Sequence, residues 1–352
     1  MRIGALAAIL VLLVAGCGTP KDDKVPAAMD GDAALALVSG LISDDAGAPR
    51  LRVPGTPGHA GAGDWLWGAM QVLGWVPHWQ NFTGADYVAL DKGGVAMYED
   101  PAYCSADEKA RLASLAFSNL WAVRDEPTSD RLVLLGAHWE SKRFANQDAD
   151  AARRGDPVLG ANDGASGVGL LLQLMRHIEE NDVELPFDLG VVFFDGEDGF
   201  DDCHPLAGSL HFVSRLEPGE VDRFLLLDMV GDVEARFIVE SASQKCDPAL
   251  ADLLQTKGTE GPLAANFPGT LKSVSDDHVP FIEAGIPAVD LIDFGRSGDR
   301  TQSLFGFPPY WHTTGDTLDK LDAGMLGHVG DVILAALMDP AFVNEWPDGC
   351  QD

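Results

Sequence analysis

Three apolar runs in this chain stop on residues that cannot continue them: Leu132 to Ala137 meets His138, Gly190 to Phe194 meets Asp195-Gly196-Glu197-Asp198, and Phe224 to Leu227 meets Asp228. Runs that are apolar at every position read as strands covered on both faces, and such sheets are built from parallel strands with helical crossovers. Strand-like runs are expected at Phe117 to Val123, Arg131 to Ala137, Phe187 to Phe194, Arg223 to Leu227, Ala235 to Val239 and Ala288 to Ile292. Helical patterns are expected at Ala33 to Ile42, Ala60 to Leu73, Gly164 to Glu179, Leu206 to Leu216, Pro248 to Leu254 and Ala323 to Leu337. The alternation implies an α/β fold, a three-layer sandwich with a mostly parallel central β-sheet and helices on both faces. No repeat, low-complexity break or linker interrupts it, so residues 31–352 read as one domain.

Open sheets of this class collect ligands beyond the carboxyl ends of their strands. The strand ends would deliver His138, Glu197 with Asp198, and Asp228 to one rim, joined by the loop Gly160-Ala161-Asn162-Asp163-Gly164 and by Trp311-His312-Thr313. A chain with only nine histidines thus places imidazoles and carboxylates together without a thiolate. That donor mix suits a catalytic Zn²⁺ with one position left open. Asp163, Asp198 and His312 make a three-ligand site, and His138 with Asp228 would extend it to two metals. Glu197 beside Asp198 fits a division in which one carboxylate binds metal and the other moves protons.

Acidic residues dominate, 55 Asp+Glu against 24 Lys+Arg, for a net charge of −31. Such a surface repels phosphate backbones and anionic headgroups, which excludes a nucleic-acid partner and a polybasic membrane contact, and it attracts peptides with a free, positively charged amino terminus. Arg2, the apolar run Ile3 to Val14 and Ala15-Gly16 read as a signal peptide over residues 1–16. Val14-Ala15-Gly16-Cys17 resembles the bacterial lipobox. Cys17 is therefore the expected lipidation site, residues 17–30 a polar tether, and the protein an exported lipoprotein anchored to a membrane and facing the periplasm or cell exterior. Cys104, Cys203, Cys246 and Cys350 suit two disulfides, with three connectivities open.

Arg52-Val53-Pro54-Gly55-Thr56-Pro57-Gly58, Phe117-Ser118-Asn119, His138-Trp139-Glu140-Ser141-Lys142, Gly160-Ala161-Asn162-Asp163, Phe193-Phe194-Asp195-Gly196-Glu197-Asp198, Gly208-Ser209, Leu226-Leu227-Asp228, Asp276-Asp277-His278-Val279-Pro280-Phe281, Gly285-Ile286-Pro287 and Trp311-His312-Thr313 follow one another over most of the chain. In these segments the sequence resembles the M28 zinc-peptidase superfamily, and within it is most similar to the animal-type glutaminyl-peptide cyclotransferases. The resemblance implies one Zn²⁺ held by Asp163, Asp198 and His312, with Glu197 as general acid and base. Asp228 and Asp276 would share hydrogen bonds beside the substrate and titrate as a coupled pair, and Trp311 would wall the pocket. The implied reaction converts amino-terminal glutamine of a peptide or protein to pyroglutamate with release of ammonia. In the alternative, an M28 aminopeptidase, His138 and Asp228 bind a second Zn²⁺, Asp163 bridges the pair and Glu197 activates water. A peptide-binding lipoprotein with a decayed site is the third reading.

The chain also departs from the family pattern. Asp198 stands for a glutamate, Glu140 for an aspartate and Asp290 for a histidine of the animal cyclases, and Phe200 to His204 lack the tryptophan those enzymes carry after the acidic pair. A cysteine pair that flanks their first motifs is absent. Gly164-x-x-Gly167-x-Gly169 lacks the spacing of a dinucleotide loop and reads as close helix packing. Neither Ser166 nor Ser209 lies in a nucleophile elbow. His177 and His328 read as surface or packing residues, Trp65, Trp67, Trp75 and Trp79 as core, and His278 as a brace for the pocket loop.

Overall fold

The computed structural model describes residues 27–89, 105–124, 129–198, 205–296, 306–344, 346–347 and 349–350. The expected signal peptide, Cys17 and most of the tether lie outside them, as do Cys104 and Cys203. In chain order the elements are α1 (Gly31–Ile42), α2 (Pro57–Val72), β1 (His78–Thr83), α3 (Gly84–Ala89), α4 (Ala106–Ala113), β2 (Ala116–Val123), β3 (Leu132–His138), α5 (Ala165–Glu180), β4 (Asp188–Phe194), α6 (Ala207–Val213), β5 (Arg223–Asp228), β6 (Val239–Glu240), α7 (Ser241–Cys246), α8 (Pro248–Thr259), β7 (Leu271–Lys272), α9 (Val279–Glu283), β8 (Ala288–Ile292), α10 (Ala323–Leu337) and α11 (Pro340–Asn344). Helix starts follow local chemistry. Asp30 accepts from the Ala33 N–H at 2.9 Å, Asp322 from Met325 at 2.8 Å, and Thr56 caps α2 ahead of Pro57.

Six strands form the main sheet in the order β1-β2-β4-β3-β5-β8. β4, β3, β5 and β8 run parallel, while β2 is antiparallel to both of its neighbours. Alternate residues of the parallel strands face opposite layers. Leu135, Leu225, Leu227 and Leu291 pack into the larger core with Val38 of α1, Leu171 of α5 and Leu326 of α10. Leu134, Phe194, Phe224 and Leu226 turn the other way, toward Phe212 of α6 and Phe281 of α9, with Phe224 and Phe281 stacked at 3.9 Å. Helices on both faces of a mostly parallel sheet are the architecture the continuous apolar runs imply.

Two elements differ from expectation. Ala235 to Val239 is not a continuous strand, because other groups take its hydrogen bonds. Asn266 Nδ2 donates to Val233 O and Ala235 O, Gln255 Nε2 to Phe237 O and Ile238 O, and the Phe237 N–H reaches Asn266 O. Phe237 makes a single antiparallel bridge to Asp293, and Val239–Glu240 pairs in a two-stranded sheet with β7. The helix expected over Leu206 to Leu216 stops at Val213, where Ser214 turns its hydroxyl back onto His211 O at 2.7 Å. His177 and His328 are both buried packing residues. Cys246 and Cys350 form a disulfide, one of the pairs the expected connectivities allow.

Candidate metal centre and active site

β3 and β4 end level, His138 opposite Phe194, and Asp228 closes β5 opposite Ile292 of β8. The rim these ends form receives Asp163 from the loop before α5. Gly164 turns that loop at φ 84°, and a Cβ there would lie 2.6 Å from His138 Cε1, so glycine is needed on both counts. Asp316 takes the Asn162 N–H at 2.8 Å and the Asp163 N–H at 3.0 Å, which fixes the backbone of the ligand loop. Burial and the Asp163 charge push Asp316 up to about 7.

His138 Nε2 lies 3.1 Å from Asp163 Oδ1 and 3.5 Å from Asp228 Oδ1, while His312 Nε2 lies 2.8 Å from Asp198 Oδ1 and 3.5 Å from Asp163 Oδ2. Two donor groups result, Asp163-Asp198-His312 and His138-Asp163-Asp228, each with its ligand atoms within 4.8 Å of one another. Asp163 belongs to both, one oxygen toward each. A third group, His138-Glu140-Glu197, meets the same limit. Asp163 Oδ2 and Asp228 Oδ1 are buried without a hydrogen-bond partner among the described residues, which is the state of ligand atoms aimed at a cation, while His138 Nδ1 faces Glu140 Oε2 at 3.5 Å and leaves Nε2 toward the ligand group. The donor set of imidazole and carboxylate, the short spacings and these orphaned atoms fit a zinc centre.

Asp198 and Glu197 differ in environment although adjacent. Burial would raise Asp198, but His312 and Lys142 outweigh it and hold the carboxyl below the ordinary aspartate range. Lys142 Nζ donates to Asp198 O at 2.9 Å, and Glu140 Oε1 accepts the Asp198 N–H at 3.0 Å. Glu197 is pushed well above the ordinary glutamate range, first by burial and then by the Asp276 carboxylate. Burial likewise raises Asp228 to about 6, and burial with the charge of Asp228 raises Asp276. One carboxylate is thus held as an anion and its neighbour poised to exchange a proton.

Lys142, Asp163, Glu197, Asp198, Asp228, Asp276 and His312 line a cavity of about 300 Å³ together with Val274, Ile292, Phe307 and Trp311. Trp311 is half-buried and stacks on His312 at 3.6 Å on one side and on Phe307 at 4.0 Å on the other. Of the site residues read from the sequence that lie on the described chain, all but His138 line this cavity, and His138 is buried against Asp163 and Asp228. Cys17 alone lies outside the described residues. Sequence reasoning assigned no role to Asp316, Lys142 or Phe307. Lys142 stood inside a quoted motif, and Phe307 could have been sought from the aromatic Trp311 nearby. Asp316 carries no signal, since its partners are backbone N–H groups.

Behind the cavity, His278 contacts no ligand. Its Nε2 meets Glu240 Oε2 at 3.2 Å, and that oxygen also takes the Ser243 N–H at 2.7 Å. Burial would raise Glu240, but His278 and the backbone N–H groups outweigh it and bring the carboxyl from the ordinary 4.5 to about 2. A folded-state value below the unfolded one contributes stability that is present above about 4.5 and is lost as pH falls toward about 2. Glu240→Gln is therefore expected to lower the urea midpoint at pH 7, and the gap to the unaltered protein should narrow between about pH 4.5 and pH 2. Parallel midpoint curves over that range would contradict the assignment.

The family description "Peptidase family M28" matches residues 119–337. The chain is similar to a bovine protein named glutaminyl-peptide cyclotransferase-like protein, 26% identical, with 82% of this chain and 72% of that one covered. Among solved structures it is similar to Bacteroides thetaiotaomicron glutaminyl cyclase bound to N-acetylhistamine, with TM-score 0.73, 26% identity, and 89% of this chain and 99% of that chain covered. It is also similar to a leucine aminopeptidase precursor from the same organism, with TM-score 0.70, 26% identity, and 89% and 98% covered. With the family match spanning more than half of its length and the acidic rim at the carboxyl ends of its strands, the chain belongs to peptidase family M28.

Proposed function

We propose that this protein is a zinc-dependent glutaminyl-peptide cyclotransferase, closing amino-terminal glutamine of peptides or proteins to pyroglutamate. The observation that carries the reading is the small aromatic-walled cavity in which Asp276, Asp228 and Glu197 share one desolvated acidic environment beside the ligand group. The similarity to a bovine cyclotransferase-like protein and a bacterial glutaminyl cyclase supports it.

Asp163, Asp198 and His312 would hold the zinc, which when bound supplies polarisation of the substrate γ-carbonyl. Trp311 and Phe307 hold the glutamine side chain folded back, so that the α-amine and the side-chain carboxamide carbon meet within one residue; much of the rate gain comes from that orientation. As the amine nitrogen bonds to the carboxamide carbon, Glu197 takes one of its protons. The bond from that carbon to the carboxamide nitrogen then breaks, and Glu197 gives the proton to that nitrogen, which leaves as ammonia. Burial and the Asp276 charge hold Glu197 above the ordinary glutamate range, so it takes the amine proton readily and keeps it until the leaving nitrogen accepts it. Reaction within one residue needs no water, and the apolar wall excludes it. Cys17 lipidation would place this domain outside the cell on a membrane anchor.

A second reading, hydrolysis by an M28 aminopeptidase, is favoured by one feature, the two oxygens of Asp163 facing His138 and His312 separately. An ammonia assay with an amino-terminal glutamine dipeptide tests the choice. The cyclotransferase releases ammonia and leaves the peptide bond whole, whereas release of free amino acid overturns it. Dialysis against a chelator is expected to abolish ammonia release, and added Zn²⁺ to restore it. Activity unchanged in the metal-free protein would contradict the zinc assignment.

A further inference from the structure

Asp163 and His312 arrive from two loops and Asp228 from the end of β5, and one polar knot ties the three segments together. Tyr310, two residues before His312, donates its hydroxyl proton to Asp232 and accepts from Asn162 Nδ2 at 3.2 Å. Asn162 is the residue before Asp163, and its Oδ1 takes the Gly231 N–H at 3.0 Å. Asp232, four residues beyond Asp228, is 5% exposed and also accepts from Arg296 Nη2 at 2.5 Å. The same nitrogen reaches Asp293 Oδ2 at 3.1 Å, just past the end of β8, while Nη1 reaches the exposed Glu234 at 3.3 Å.

The ligand loops need such a tie. His312 sits at φ 54° and Met229, next to Asp228, at φ 50°, and neither is glycine. Left-handed backbone at non-glycine residues persists only where the surroundings over-determine it. The knot spans both positions, bonding Tyr310 on one side and Gly231 with Asp232 on the other. Burial and the Asp232 charge hold Tyr310 above the ordinary tyrosine range, so its hydroxyl remains a donor.

We propose that Tyr310 and Asp232, clamped by Arg296, are positioning residues that fix the spacing between Asp163 and His312 and thereby set the metal affinity of the centre. The inference rests on the zinc reading above and not on which reaction the zinc serves. It is tested by zinc titration of the full domain against a chromophoric chelator, for Tyr310→Phe, Asp232→Asn and the double variant, with melting of each metal-free protein alongside. Tyr310→Phe removes a single oxygen and is the variant least able to disturb folding. Each single change is expected to raise the zinc Kd about tenfold or more, as loss of groups that orient ligands does elsewhere. The double variant should lose little beyond the larger single loss, because both act through one knot. Metal-free melting should stay where it is in the unaltered protein. A Kd within about twofold of the unaltered protein, fully additive losses, or earlier melting with zinc affinity intact would each overturn the proposal. Failure of the unaltered protein to bind zinc would instead overturn the zinc reading beneath it.

Discussion

Glu197→Gln is expected to lower kcat by about a thousandfold while zinc binding and melting temperature stay near those of the unaltered protein. Glutamine keeps the shape of the side chain and removes its ability to take and return a proton. The loss should be large because one carboxyl serves both halves of the reaction, as base toward the amine and acid toward the leaving nitrogen. Glu197 is not a member of the Asp163-Asp198-His312 group, so a metal held there should stay in place. Steady-state kinetics with zinc content measured on the same preparation check both halves of the expectation. Retained turnover would remove Glu197 from the mechanism, and zinc lost with activity would make it a ligand.

The second large effect is expected at Arg52, far from substrate. Its guanidinium is fully buried and among the described residues meets backbone carbonyls and not carboxylates; it donates to Trp139 O at 2.6 Å, Leu159 O at 2.7 Å, Gly160 O at 2.8 Å and Glu140 O at 3.2 Å. Two of those carbonyls directly follow His138 past the end of β3 and two precede Asp163 on its loop, so one side chain clamps the ligand segments together. Burial lowers Arg52 to about 10, opposed by the charges of Glu140, Asp316, Asp163 and Asp198, which its own charge offsets in turn. Arg52→Met would strand the carbonyls of Trp139, Glu140 and Leu159 at about 1–3 kcal/mol each and leave Gly160 O only the Ala165 N–H at 3.4 Å, so a loss of about 3 kcal/mol or more is expected. Arg52→Lys should recover only part of this, because an ammonium cannot reproduce the planar fork. Urea unfolding of the metal-free variants measures the effect, and a loss below about 1 kcal/mol for Arg52→Met would show that water or rearrangement satisfies the carbonyls.

The strands that build the rim were legible because strands buried on both faces leave an unbroken apolar signature, and a charged residue ending such a run has few places to be except a site. Residues that act by touching backbone were not legible. Arg52 and Asp316 look in sequence like ordinary polar residues of a turn and a loop. Their importance follows from which carbonyls and N–H groups they meet, and nothing local encodes that. β1 was missed for a different reason: in His78–Thr83 only Phe82 is buried, so an edge strand with one open side shows no periodic pattern. Ala235 to Val239 erred the other way, an apolar run whose hydrogen bonds are taken by Asn266 and Gln255 before a neighbouring strand can form. Asp198 in place of a glutamate left its reach toward the metal open on paper. The structure brings its carboxylate within 2.8 Å of His312 Nε2, so the shorter side chain still joins the ligand group.

The most direct test of the central claim is mass spectrometry of the domain lacking residues 1–17, incubated with Zn²⁺ and an equal mixture of Gln-Ala and Leu-Ala peptides, beside Glu197→Gln. The account predicts that the glutamine peptide alone changes, losing the mass of ammonia with its peptide bond intact, and that the change disappears in the variant. Free amino acids released from either peptide would contradict it and make this family member an aminopeptidase.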